Sequence, residues 1–188
     1  MQSVTGLSGG SFGRSLLVLG GARSGKSRHA QALAEAAAMA DDARLVFVAT
    51  AQAFDDEMTD RIARHRADRD GRWQTVEAPL RLAQALAVAD AADTVILVDC
   101  LTLWVSNLLL ADASVEREVD ALLATLSALV GRIILVSNEV GWGIVPDNAL
   151  ARRFRDAAGM MHQRLAGQLD AVDLVVAGLA QRLKEPRG

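Results

Sequence analysis

Five compact apolar runs constrain what this 188-residue chain can become: SLLVLG (15 to 20), RLVFVAT (44 to 50), TVILVD (94 to 99), RIILVS (132 to 137) and DLVVAG (173 to 178). Each is short, rich in aliphatic and β-branched residues and bounded by polar residues or glycine, which marks a strand. Their hydrophobicity is continuous rather than alternating, so both faces of each strand must be covered. Between them lie Ala- and Leu-rich stretches of good helix propensity, at 25 to 39, 55 to 69, 79 to 90, 115 to 130 and 148 to 169. Strand alternating with helix implies an α/β fold, with a mainly parallel sheet and helices on both faces. Ligands of such sheets bind beyond the carboxyl ends of the strands. The places to inspect are therefore Gly20 onward, Thr50 onward, Asp99 onward and the NEVGWGIVP that follows the fourth run.

Residues 1 to 14, MQSVTGLSGGSFGR, are rich in Gly and Ser with little to bury. They are expected to form a flexible leader, and residues 15 to 188 a single domain. Twenty basic against 23 acidic residues leave a net charge of −3, which gives no general attraction for a polyanion. No nucleic-acid partner is expected. Cys100, the one cysteine, has no intramolecular partner, and the N-terminus lacks the basic and apolar regions of a secretory signal. A cytoplasmic location fits both observations. The apolar run LTLWVSNLLLA is interrupted by Ser106 and Asn107 and falls short of the roughly 20 residues that span a bilayer. No membrane segment is expected.

GGARSGKS, residues 20 to 27, satisfies GxxxxGK(S/T) and sits between an apolar strand and a helical stretch, the context that this phosphate-binding loop requires. Gly20, Gly21 and Gly25 let the backbone turn tightly, so that N-H groups of the loop, through Ala22, Arg23 and Ser24, can converge on phosphate oxygens. Lys26 adds a full positive charge at the β- and γ-phosphates, and the Ser27 hydroxyl is suited to the coordination shell of Mg²⁺. The third run ends on Asp99, a carboxylate delivered to the same edge and a candidate second ligand for Mg²⁺; taken alone, Asp99 is equally a strand-end cap. These features place the chain among P-loop NTPase-like folds. They leave the reaction open, since kinases, switches and motor ATPases share the loop.

Two further stretches add chemistry. DDEMTDRIARHRADRDGRW (55 to 73) carries one histidine, His65, between Arg64 and Arg66. Glu57 with Arg61 and Asp60 with Arg64 are i,i+4 pairs of an exposed helix, and Met58, Ile62 and His65 recur at helical spacing, so spacing alone favours a structural histidine. The flanking arginines would hold the imidazole neutral and gather a polyphosphate around it, and neutral imidazole is a competent nucleophile toward phosphorus. NEVGWGIVP (138 to 146) has the form of a shaped substrate loop, or of a turn permitted by Gly141 and Gly143. Trp104 and Trp142 are each better read as core than as ligand cover. His29 and His162 are read as structural, and Cys100 as a small buried hydrophobe.

Taken together, GGARSGKSRHA, VATAQAFDDEMTDRIARHRADR, the W..VE that ends at Glu77, VDCLTLWVSNLL and NEVGWGIVPDNALARRFRD resemble the bifunctional adenosylcobinamide kinase/adenosylcobinamide-phosphate guanylyltransferase family, from about Leu16 to Lys184. The resemblance implies two reactions. ATP or GTP first phosphorylates the aminopropanol hydroxyl of adenosylcobinamide. A histidine then attacks the α-phosphate of GTP, releases pyrophosphate and holds GMP covalently, until adenosylcobinamide phosphate takes it to give adenosylcobinamide-GDP. The family's histidine lies in RIxxHR, here RIARHR, so the role passes to His65. By the same resemblance Thr50, Ala51 and Gln52, together with Arg66, Ala67, Asp68 and Arg69, help enclose the guanine nucleotide, with Glu77 and Asp99 completing the pocket. A homotrimer is implied as well. The sequence departs from the family pattern at Trp142, where methionine is expected, and in AGLAQRLK, which lacks a proline after GL. The alternatives are a simple P-loop small-molecule kinase in which His65 is structural, and a nucleotide-regulated binding protein or DNA-associated ATPase.

Overall fold

A computed structural model describes residues 12 to 51 and 71 to 186. Among them the chain forms β1 (Ser15–Gly20), α1 (Lys26–Asp41), β2 (Arg44–Ala49), β3 (Trp73–Glu77), α2 (Leu82–Ala89), β4 (Thr94–Asp99), α3 (Leu101–Leu110), α4 (Val115–Ala128), β5 (Arg132–Asn138), α5 (Ala149–Gln168), β6 (Ala171–Val176) and β7 (Leu179–Lys184). The helix expected at 55 to 69 lies outside the described residues, as do residues 1 to 11.

The seven strands form one sheet in the order β3-β2-β4-β5-β1-β6-β7. Every pairing is parallel except that of β7 with β6. The continuous apolar runs have the cause inferred for them. Because successive side chains of a strand point to opposite faces, Leu17, Leu19, Val46, Val48, Ile96, Val98, Ile133 and Leu135 build one core. Leu16, Val18, Leu45, Phe47, Val95, Leu97, Ile134 and Val136 build the other. The first core is closed by residues of four helices, among them Leu86, Trp104, Leu122 and Leu165. The second is closed by α1, whose Ala30, Ala34, Ala37 and Ala38 recur at helical spacing and let the helix lie close on the sheet.

Four details correct the sequence expectations. β3 and β7 were not anticipated: both are edge strands, largely exposed, and lack the apolar signature of a strand buried on both faces. α3 was not anticipated either, because LTLWVSNLLL is apolar nearly all round and its helical period is hidden; Leu101, Thr102, Trp104, Val105, Asn107 and Leu108 are all buried. The fifth run begins at Ala171 and stops at Val176, since Ala177 (φ 51°) and Gly178 (φ 80°) are left-handed. Two such residues make the tight turn that reverses the chain into β7. Finally, three of the fourteen residues assigned to the leader belong to the fold. Phe12 is buried in the second core, and the Arg14 and Ser15 N-H groups donate to Asp170 Oδ2 at 2.8 and 3.0 Å. Among the described residues no helix is long and apolar enough to cross a membrane.

Candidate active site

The strand ends gather the site. At the carboxyl edge, Gly20 of β1 is level with Asn138 of β5. Ala49 of β2 is level with Glu77 of β3 on one side and Asp99 of β4 on the other. The phosphate loop, the two carboxylates and the start of NEVGWGIVP thus emerge at one edge, where parallel sheets bind ligands.

The loop from Gly20 to Ser27 turns sharply twice, at Arg23 (φ 55°) and Gly25 (φ 96°). A left-handed arginine costs on the order of 1 kcal/mol, a strain that concentrates at functional sites. Gly20 is required by space. A Cβ there would stand 2.5 Å from both Ser24 Oγ and the Val175 carbonyl oxygen. Gly25 lies so close to the β6–β7 turn that its Cβ would be 3.2 Å from Gly178 Cα, and the Gly178 N-H donates to the Ser24 carbonyl at 2.8 Å. Lys26, the first residue of α1, is buried, and its Nζ donates to the Gly21 carbonyl at 3.2 Å. Ser24 Oγ is buried with no hydrogen-bond partner among the described residues. The loop therefore combines a helix N-terminus, an inward-drawn ammonium and an unused hydroxyl, a combination suited to an anion.

Around it the polar side chains form two networks that sequence reasoning missed. In the first, Thr50 Oγ1 donates to the Cys100 carbonyl at 2.7 Å and accepts from the Cys100 N-H at 2.9 Å. Asn107 Nδ2 donates to the Thr50 carbonyl at 2.8 Å, and Asn138 Nδ2 donates to Thr102 Oγ1 at 2.8 Å. These bonds pin the ends of β2, β4 and β5 to one another. The Thr50 side chain is thereby committed to backbone, while Ala51 follows at the same edge, half-buried. Burial, then the adjacent Asp99 charge, pushes the Cys100 thiol up, so it is inert as a nucleophile.

In the second network, Asp173 of β6, almost fully buried, accepts from His29 Nε2 of α1 at 2.9 Å and from Arg182 Nε of β7. Burial alone would raise the Asp173 pKa. The bonds from His29 and Arg182 outweigh it and hold the carboxyl below its usual value. The charged cluster ties the first turns of α1 to the hairpin that touches the loop. One signal in the sequence points to it: Asp173 is the lone charge inside AVDLVV.

His162 is a core residue, its Nε2 hydrogen-bonded to Ser137 Oγ at 2.7 Å. Burial holds its pKa down, opposed by Glu139. Trp104 is buried as expected, with its indole N-H donating to the Leu80 carbonyl. Trp142 is not core but 77% exposed, because the loop that carries it runs outside the sheet. Of the expected site residues, Gln52, His65, Arg66, Ala67, Asp68 and Arg69 lie outside the described residues.

A family model described as cobinamide kinase / cobinamide phosphate guanyltransferase matches residues 16 to 183. The chain belongs to that family. It is 51% identical over 170 residues to a Pseudomonas aeruginosa protein named bifunctional adenosylcobalamin biosynthesis protein CobP, spanning 89% of this chain and 96% of that one. It is 41% identical over 184 residues to the Salmonella typhimurium protein named bifunctional adenosylcobalamin biosynthesis protein CobU, spanning 90% and 99%. Among solved structures, flagellar accessory protein FlaH from Methanocaldococcus jannaschii superposes with a TM-score of 0.53 at 15% identity, covering 92% of this chain and 79% of FlaH. That likeness concerns the fold alone. Membership makes the chain an enzyme of a family that pairs a kinase with a guanylyltransferase, and a kinase lacking the second activity is not favoured.

Proposed function

We propose that the phosphate loop serves both family reactions, phosphorylating adenosylcobinamide with ATP or GTP and then assisting GMP transfer from GTP to adenosylcobinamide phosphate through a covalent GMP on His65. The observation that carries this reading is the loop itself, in which glycine backbone, buried Lys26 and the buried Ser24 hydroxyl converge at one sheet edge with Asp99 and Glu77. Charge stabilisation and positioning supply most of the catalysis of phosphoryl transfer, and these groups provide both. Lys26 and the loop amides hold the β- and γ-phosphates, which are transferred or left behind in the kinase step and leave as pyrophosphate in the guanylyl step.

The oxygen donors fit Mg²⁺. Ser27 and Asp99 would hold it together with phosphate oxygens, as this ion needs only one or two protein carboxylates. When bound, the ion neutralises phosphate charge. His65 forms a phosphorus-nitrogen bond to the α-phosphate as the bond to the leaving pyrophosphate breaks. The adenosylcobinamide phosphate oxygen then displaces the imidazole, so the bulky acceptor and pyrophosphate need not share the site. Thr50 through its backbone, Ala51, Gln52, residues 66 to 69 and Glu77 enclose the guanine nucleotide. The chain from Phe12 onward acts as one domain, in a homotrimer.

Incubation with α-labelled GTP and Mg²⁺ is expected to leave acid-labile, alkali-stable label on the denatured protein, and His65→Ala to abolish it. Label surviving in His65→Ala would exclude His65 as the nucleophile.

A further inference from the structure

The segment from Asn138 to Asn148 is fixed at both ends yet turns its large apolar side chains outward. At its start the Glu139 N-H donates to the Gly20 carbonyl at 3.0 Å, and the Glu139 carboxylate accepts from the Gly141 N-H at 2.6 Å. At its end Arg152 Nη1 donates to the Pro146 and Asp147 carbonyls at 2.9 and 2.7 Å, and Asn148 caps α5 by accepting from the Ala151 N-H. Between these anchors Trp142 is 77%, Ile144 97% and Val145 61% exposed. The other two tryptophans, Trp73 and Trp104, are buried, with their indole N-H groups bonded. Water is a poor environment for such a trio, and exposed apolar surface next to a reaction centre marks a binding site.

We infer that Trp142, Ile144 and Val145 form the platform on which the corrin macrocycle of the acceptor rests. This rests on the proposed function, since it supposes a cobinamide acceptor. Three features favour that occupant. The segment is rooted on Gly20, the first residue of the phosphate loop, through the Glu139 N-H, and Trp142 follows Glu139 by three residues, so it stands within roughly 11 Å of Glu139. An acceptor whose hydroxyl lies at the end of a flexible arm must place its ring at about that remove when the hydroxyl meets the γ-phosphate. VGWGIVP, residues 140 to 146, carries no charge. The rim of a corrin, methyl groups and neutral amides, offers apolar contact without calling for ion pairs. A flat indole beside two branched aliphatic side chains suits a broad, partly apolar ring.

The test is the steady-state kinetics of cobinamide phosphorylation by Trp142→Ala, Ile144→Ser and Trp142→Phe in the full chain, with particle mass measured by light scattering at the assay concentration. Trp142→Ala and Ile144→Ser should each raise KM for cobinamide about 10-fold or more, with KM for the nucleotide, self-labelling by α-labelled GTP and particle mass unchanged. Trp142→Phe, which keeps an aromatic face, should restore most of the affinity. An unchanged cobinamide KM in both truncated variants would overturn the inference. A fall in particle mass would overturn it too, by assigning the face to a second copy of the chain. If the wild type labels itself with GMP but both truncated variants bind cobinamide normally, the platform fails and the proposed function stands. A wild type that neither labels itself nor phosphorylates cobinamide overturns both.

Discussion

Two loops leave the same sheet edge, one after β1 and one after β5, and they are built on opposite principles. The phosphate loop is made of backbone. Two of its three glycines are crowded, Gly20 against Ser24 and Val175 and Gly25 against Gly178, and Lys26 is drawn inward. The loop after β5 is made of side chains. Its Gly143 has nothing among the described residues within 4 Å of where a Cβ would stand, and its neighbours Trp142 and Ile144 project into solvent. A phosphate, common to every nucleotide, is recognised by N-H groups and a point charge, which any sequence with the right turns can offer. An individual acceptor must be recognised by surface shape, which needs particular side chains.

The contrast can be broken by making one chemical change in both loops. Gly20→Ala adds a methyl group 2.5 Å from a backbone carbonyl that cannot swing away. Displacing the loop by even part of an ångström should lower turnover about 100-fold, measured as nucleotide-dependent phosphorylation. Asp173→Asn comes next. It removes the charge that faces His29 and Arg182 and so loosens the support of the loop from the hairpin side, at a cost on the order of 2–3 kcal/mol in chemical denaturation at neutral pH. Because the folded-state pKa of Asp173 lies below its unfolded value, its stabilisation is present above the ordinary carboxylate pKa of about 4 and is lost as pH falls through the lower folded value. The gap between wild type and Asp173→Asn should therefore close in acid. Gly143→Ala is the smallest. It meets no atom of the described residues and its φ is not left-handed, so thermal unfolding should show no loss of stability, or a gain under about 1 kcal/mol.

The same contrast explains what was legible in the sequence. The phosphate loop could be read because its chemistry is local: eight consecutive residues, a strand before them and a helix after. The position of Asp99 at the sheet edge could be read because a carboxylate ends an otherwise apolar strand. The support of the loop could not, since Asp173, His29 and Arg182 meet only when β6, α1 and β7 are assembled, 144 residues separating His29 from Asp173. The central strands announced themselves by burial on both faces, whereas β3 and β7, at the sheet's two edges, carry Gln74, Thr75, Gln181 and Arg182 where the others carry Val, Leu or Ile. Trp142 was misjudged for a related reason. An aromatic residue in a short loop is core by default, and only the path of the chain shows that this one has no core to enter.

The central claim, one phosphate loop for two transfers, is tested most directly by measuring γ-phosphoryl transfer to cobinamide and guanylyl transfer to cobinamide phosphate on a single preparation of Lys26→Ala. A shared loop predicts that both rates fall together, by about 100-fold or more. Cobinamide phosphorylation at the full wild-type rate, alongside lost guanylyl transfer, would contradict it.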